Sequence, residues 1–252
     1  RGLNAAMSPL GNVFKSGRLA FLVNAGALVK PTSASDVLSG KAVLPPFLYS
    51  HPEQSQYIQG WMGDEDPSGW GGRAMEALGG NAALKAPLIA LSSSNGTLVL
   101  GQRSRIINAN TGNSRYFGSA DLTDPNNRWT QILESLSRLQ STTSVEAEYA
   151  RTFRGAFLDT RELAVASKSA TEPAASFKDN EIGRRMRFFA QTLPFYKVSG
   201  SSRQVYFTEW GSFDTHANQR NTATGAGAEG QDMQLADLAD ALAAFDQAIS
   251  AA

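Results

Sequence analysis

Between residues 179 and 249 the spacing of apolar side chains changes twice. In "DNEIGRRMRFFAQTL", Ile182, Met186, Phe189 and Leu193 recur every three or four residues, the spacing of one helix face. "QVYFTEW" follows as a short, nearly continuous apolar run containing β-branched and aromatic residues, which predicts a strand. Leu235, Leu238, Leu242, Phe245 and Ile249 then return to helical spacing. Helix, strand and helix in close succession constrain this chain most. A buried strand between helices reaches its neighbours by crossover connections, and so pairs with them in parallel.

The rest of the chain is read in the same way. Leu3, Met7, Leu10 and Phe14 predict a helix closed by "KSG", and "RLAFLVNAG" predicts a buried strand. "VKPTSASDVLSGKAVLPPFLYS" carries Pro31 and the Pro45-Pro46 pair and reads as loop. Ser50 and Glu53 have the spacing of a capping box, with Pro52 in the first turn of the helix they would open. "RAMEALGG" predicts a short helix. "APLIALSS" and "GTLVLG" flank an Asn95-Gly96 turn signal and predict a hairpin. Residues 127–170 read as two helices broken near "QSTTS". The expected fold is therefore α/β, a mostly parallel sheet flanked by helices with a small antiparallel excursion, in one domain spanning 1–252.

The 23 basic and 23 acidic residues cancel and are spread along the chain, so no basic surface for nucleic acid is expected. The absence of cysteine excludes disulfides, thiolate metal ligands and a cysteine nucleophile. No apolar run approaches the ~20 residues of a membrane-spanning helix. A protein partner or a homo-oligomer stays open. The sequence starts without an initiator methionine and stops inside a helical pattern, so a piece of a longer protein, lacking N- and C-terminal parts, is expected.

Chemistry concentrates after the predicted strand, in "GSFDTHANQ", where an open α/β sheet places its ligand crevice. In extended backbone, Asp214 and His216 project to the same side. A carboxylate and an imidazole presented together suit Zn²⁺ or another divalent cation, or an acid–base pair. The same spacing also suits a turn in which Asp214 bonds nearby amides and His216 is exposed, and spacing alone favours the turn. His51 reads first as a helix first-turn residue. Arg184, Arg185 and Arg187 could meet a phosphate or sulfate, but their face opposes the apolar stripe and reads as solvated. Trp61 and Trp70 bracket Asp64, Glu65 and Asp66 without the spacing of an EF-hand, leaving a Ca²⁺ or sugar site and an ordinary acidic turn both open.

Several segments together resemble one family. They are "LNAAMSPLGNVFKSGRLAFLVNAGALVKPT", "LPPFLYSHPEQSQYIQGW", "SGWGGRAMEAL" and "RQVYFTEWGSFDTHANQ". They look like the exported bacterial domain-of-unknown-function 1501 family, grouped with the alkaline phosphatases and sulfatases. "GSFDTHANQ" is the most specific element, with Ser212 in place of the family's second glycine. The resemblance implies an alkaline-phosphatase-like α/β sandwich, export by a twin-arginine signal to the periplasm or beyond the cell, and a divalent metal (Zn, Mg or Ca) held in part by Asp214 and His216. His51, Asn218 and Gln219 would line that site. The implied activity is metal-dependent hydrolysis of phosphate or sulfate esters, and the alternative is a non-catalytic exported assembly component. The family's upstream Gly-Gly-x-Asp and downstream Asp-His-Gly companions are not in this sequence. Two ligands from one stretch cannot hold the paired ions, ~3.5–4 Å apart, of two-metal transfer.

Overall fold

A computed structural model describes residues 2–21, 28–48, 50–61, 66–79, 88–91, 96–102, 106–108, 116–193, 205–211, 213, 219 and 230–251. A 3₁₀ turn (Ala5–Met7) leads into α1 (Leu10–Lys15), and α2 (Ala34–Leu38) and α3 (His51–Ile58) follow. Next come α4 (Trp70–Gly79), β1 (Leu88–Leu91), a second 3₁₀ turn (Thr97–Val99) and β2 (Ile106–Asn108). The pair β3 (Tyr116–Phe117) and β4 (Ala120–Asp121) precedes α5 (Arg128–Ser137), α6 (Ser144–Ser169) and α7 (Glu181–Thr192). β5 (Tyr206–Thr208) and α8 (Gln231–Ser250) complete the described elements.

Local chemistry explains several helix starts. Asn127 Oδ1 accepts from the Trp129 and Thr130 amides at 3.0 and 3.1 Å, and Asn180 Oδ1 from the Gly183 amide at 2.8 Å. Each satisfies donors that a helix N-terminus leaves unpaired. Ser33 and Asp36 form a complete capping box for α2, inside a segment whose prolines read as loop. At α3 the Ser50 hydroxyl bonds the Glu53 carboxylate and the Ser50 amide bonds the Phe47 carbonyl, so the expected box does not form. The predicted first helix is split, with Pro9 as the N-cap of α1.

β1 lies between β2 and β5, parallel to both, with Ile89 aligned to Ile107 and Tyr206. Adjacent residues of these strands face opposite sides, as the pleat requires. Ile107 and Tyr206 pack with Leu163, Ile182, Met186, Phe189 and Ala241, the apolar faces of α6, α7 and α8. Ile106 and Phe207 pack instead with Met75 and Val99. On that second side α4 sits almost on the backbone of the 3₁₀ turn. A Cβ placed at Gly72 would meet the Leu100 carbonyl oxygen at 2.0 Å, so only glycine permits the approach. The buried positions of α8 are Gln234 and the alanines Ala239, Ala241, Ala244 and Ala248, and the alanines let neighbouring helices come close. Leu238, Leu242 and Phe245 of the predicted stripe flank them, and Ile249 is exposed.

The expectation of an α/β fold built on a mostly parallel, alkaline-phosphatase-like sheet is corrected by these elements. Helices dominate, with α6 of 26 residues and α8 of 20, while the described strands run four residues or fewer. The physical reason lies in the short apolar runs. "GTLVLG" makes a 3₁₀ turn around the fully buried Val99, so the predicted hairpin does not form and β1 pairs in parallel instead. Residues 18–21 of the predicted first strand carry no regular structure, and residues 22–26 of it lie outside the described set. Among the described residues, no helix is long and apolar enough to cross a membrane.

Arg18 ties the chain after α1 to α8. Its Nε and Nη2 donate to the two Asp246 carboxylate oxygens at 2.6 and 2.9 Å. These bonds hold the Asp246 carboxyl below the ordinary aspartate range. A folded-state value below the unfolded one stabilises the fold above the ordinary aspartate value, and the contribution is lost as pH falls through the depressed value. Chemical denaturation should therefore find Asp246→Asn less stable than the parent near neutral pH. The difference should shrink as pH falls below the ordinary aspartate value and through the depressed one.

Candidate functional site

A cleft of about 660 Å³ opens at the carboxyl end of β5. α3 contributes Ser55, Ile58 and Gln59, and the second 3₁₀ turn contributes Leu98. α7 contributes Glu181 and Arg185, and the chain leaving β5 contributes Phe207, Glu209, Trp210 and Gly211. Apolar and aromatic surface with a few converging polar groups is the usual make-up of a small-ligand site.

The polar groups are fixed by neighbours. Gln59 holds two walls together, its Oε1 accepting from the Leu98 amide at 3.0 Å and its carbonyl from the Trp70 amide at 3.0 Å. Arg185 lies four residues after Glu181 on α7 and forms an ion pair with it. Its Nη1 also donates to Thr208 Oγ1 at 3.2 Å and to the Glu209 carbonyl. The Arg185 side chain is only 12% exposed, against 58% for Glu181. Its fork is thus committed to the protein, and the carboxylate is the group offered to solvent. Trp210 Nε1 donates to the Gln234 carbonyl of α8 at 3.0 Å, which holds the indole in the wall. Beneath the cleft, burial pushes the Tyr206 phenol up to about 12, so it stays protonated near neutral pH and does not serve there as a base.

With Glu181 and Glu209 against Arg185, the named lining carries two carboxylates and one guanidinium. Such a lining favours a cation over a bare anion. The other arginines of α7 are paired outside it. Arg184 bonds Asp179 at 2.8 Å and Arg187 bonds Glu172 at 2.6 Å, as expected of a solvated face. Asp66 accepts from the Ser68 amide and hydroxyl within its own turn, which holds its carboxyl below the ordinary range.

The residues singled out in sequence are placed as follows. Asp214, His216 and Asn218 lie outside the described residues, as do Asp64 and Glu65. Gln219 is exposed, with its carbonyl accepting from the Gln231 amide at 2.7 Å. His51 is the exposed first residue of α3 and does not line the cleft. Among the described residues, no three His, Asp or Glu side chains converge as metal ligands. Arg185, read in sequence as part of a solvated face, is instead largely buried in the cleft wall, while Gln59 and Gln231 were not foreseen. The Glu181–Arg185 spacing was a readable signal, whereas the partners of Gln59 and Gln231 are distant in sequence. No family model, curated protein or solved structure matches this chain.

Arg185→Met removes the ion pair and both bonds to the end of β5. Hydrogen bonds from a charged donor contribute about 1.5–3 kcal/mol each when partly buried. Urea denaturation should show a loss of about 2 kcal/mol, with amide exchange accelerating first at 208–211. A loss confined to α7 would contradict the tie to β5.

Proposed function

We propose that this chain contributes the metal-binding part of a hydrolase acting on phosphate or sulfate esters, with the cleft after β5 receiving the ester. The observation that carries the reading is positional. The cleft is built on Phe207, Glu209, Trp210 and Gly211, and Asp214-Thr215-His216 follows within five residues.

Charge supports a metal in this role. Arg185 is committed to Glu181, Thr208 and Glu209, so it has little capacity left to neutralise an ester's anionic group. A divalent ion would supply that neutralisation and polarise the ester's oxygen. Asp214 and His216 are the hard and borderline donors that Zn²⁺ or Mg²⁺ accepts, and further ligands would come from elsewhere. The cleft's aromatic wall, Phe207 and Trp210, would take the apolar part of the ester. The resemblance in "GSFDTHANQ" points the same way.

The test is metal content with ester turnover. The parent protein should retain a divalent metal and hydrolyse p-nitrophenyl phosphate or sulfate. Asp214→Ala and His216→Ala should each lose the metal and reduce turnover about a hundredfold or more. Unchanged metal stoichiometry in both variants would remove them as ligands.

A second reading, a non-catalytic assembly component, is favoured by α5. Its inward residues Thr130 and Ser137 are buried, and Leu133 packs on the core formed by Ala120, Leu122 and Phe157. Trp129, Ile132, Leu136 and Leu139 form a separate stripe that is 38–60% exposed and borders a groove of about 320 Å³. A contiguous exposed apolar stripe marks an interaction surface. Light scattering should find the parent self-associated and Ile132→Glu with Leu136→Glu as single chains. A parent that runs as single chains at high concentration would dismiss self-assembly through this face.

A further inference from the structure

Charge cancels over the whole chain but is unevenly placed along it. Residues 2–48 hold Lys15, Arg18, Lys30 and Lys41 against a single acid, Asp36, so the matching excess of acid lies after them. Arg18 is taken up by Asp246. Lys30 and Lys41 are exposed. Asp36 is turned into the cap of its own helix, its carboxylate accepting from the Ser33 amide and hydroxyl. An asymmetry of this kind favours an anionic partner.

The same stretch leaves apolar side chains in solvent. α2 buries none of its residues. Leu38 at its end is 89% exposed, Phe47 73%, Val29 63% and Val43 58%. Lys30 directly follows Val29, and Lys41 stands between Leu38 and Val43, so cations accompany the apolar groups. Pro45 is buried and ties the stretch to the body of the protein. Two residues on, Phe47 has a φ of +55°, a left-handed backbone that a bulky residue rarely adopts. Its carbonyl accepts from the Ser50 amide at 2.8 Å, which closes the turn and keeps the ring outside. Backbone strain of this sort persists where the side chain has a role.

Composition separates the possible partners. Protein interfaces draw on Trp, Tyr and Arg and are depleted in Lys and Ser. Residues 28–48 contain no Trp, Tyr or Arg, but two Lys and three Ser. At a lipid surface, apolar tips enter the acyl boundary while lysines reach anionic headgroups.

We propose that residues 28–48 form a lipid-docking arm, which enters an anionic membrane surface through Leu38, Val43 and Phe47 and places Lys30 and Lys41 on its headgroups. Docking of this kind needs no membrane-spanning helix. None of these residues lines the cleft after β5, so docking and the function proposed for that cleft are separate.

The test is sedimentation of the full chain with vesicles of phosphatidylcholine, alone or with about 30% phosphatidylglycerol. The parent should bind the anionic vesicles about twentyfold more tightly, and high salt should remove the difference. Lys30→Gln with Lys41→Gln should erase that preference, at about fivefold per lysine. Phe47→Gly removes the ring and relaxes the backbone, so the fold is kept, and binding should weaken about tenfold. Leu38→Ser should act similarly, whereas Trp129→Ser on α5 should bind as the parent does. A parent without preference for the anionic vesicles would overturn the assignment. So would parental binding by both Phe47→Gly and Leu38→Ser, or an equal loss in Trp129→Ser. A dimer dissolved by Phe47→Gly, in a parent that ignores vesicles, would give the arm to a second copy of the chain instead.

Discussion

The strands of this protein depend on the apolar face of α7. β1, β2 and β5 run only three or four residues each, too short for an independent sheet. Their order is held because Ile107 and Tyr206 project onto Ile182, Met186 and Phe189, with the Phe189 and Tyr206 rings 4.7 Å apart edge to face. Ile182 is completely buried. The same face receives Ala241 and Phe245 of α8, so one helix carries both the strand layer and the next helix.

The site follows from that arrangement. Phe207 points to the opposite side from Tyr206, onto Met75 and Val99, and so commits β5 to both layers. A strand gripped on both faces can leave its carboxyl end open without losing its place. Arg185 grows from the same helix whose inner face holds Tyr206, and it reaches over the strand end to Thr208 and Glu209. Core packing and the geometry of the cleft are therefore coupled through α7. A change that tilts this helix displaces the Arg185 guanidinium and the Glu181 carboxylate together.

Periodicity made the long helices legible. α7 and α8 lie where three- and four-residue spacing places them, and α5 and α6 lie on either side of the expected break near "QSTTS". Short apolar runs were not legible in the same way. "QVYFTEW" and "GTLVLG" look alike by composition, yet the first contains β5 and the second a 3₁₀ turn. What separates them is contact with distant residues. Gly96 lies against the Phe207 ring, and Gly72 brings α4 onto the Leu100 carbonyl, so the 97–99 backbone is bent to fit a helix and a side chain. No local pattern encodes those partners. The overestimated sheet comes from reading each apolar run as if it chose its own conformation. The site shows the same division: Asp-Thr-His is a local motif, whereas the grips of Gln59 and Gln231 pair residues far apart in sequence.

Charge narrows what the cleft can hold. At about 4 Å, two unit charges interact by about 4 kcal/mol at the effective dielectric of a protein surface. Glu181 has Arg185 as an ion-pair partner and is still more than half exposed, so it presents negative potential to the cleft. A phosphate or sulfate group entering alone would meet that potential while the guanidinium faces the Glu209 carbonyl. A cation entering first reverses the sign of the field and leaves the protein's own bonds intact. On the function proposed above, electrostatics would order binding in this cleft, cation before anion. A ligand without charge would have to rely on Phe207, Trp210 and Ile58 instead.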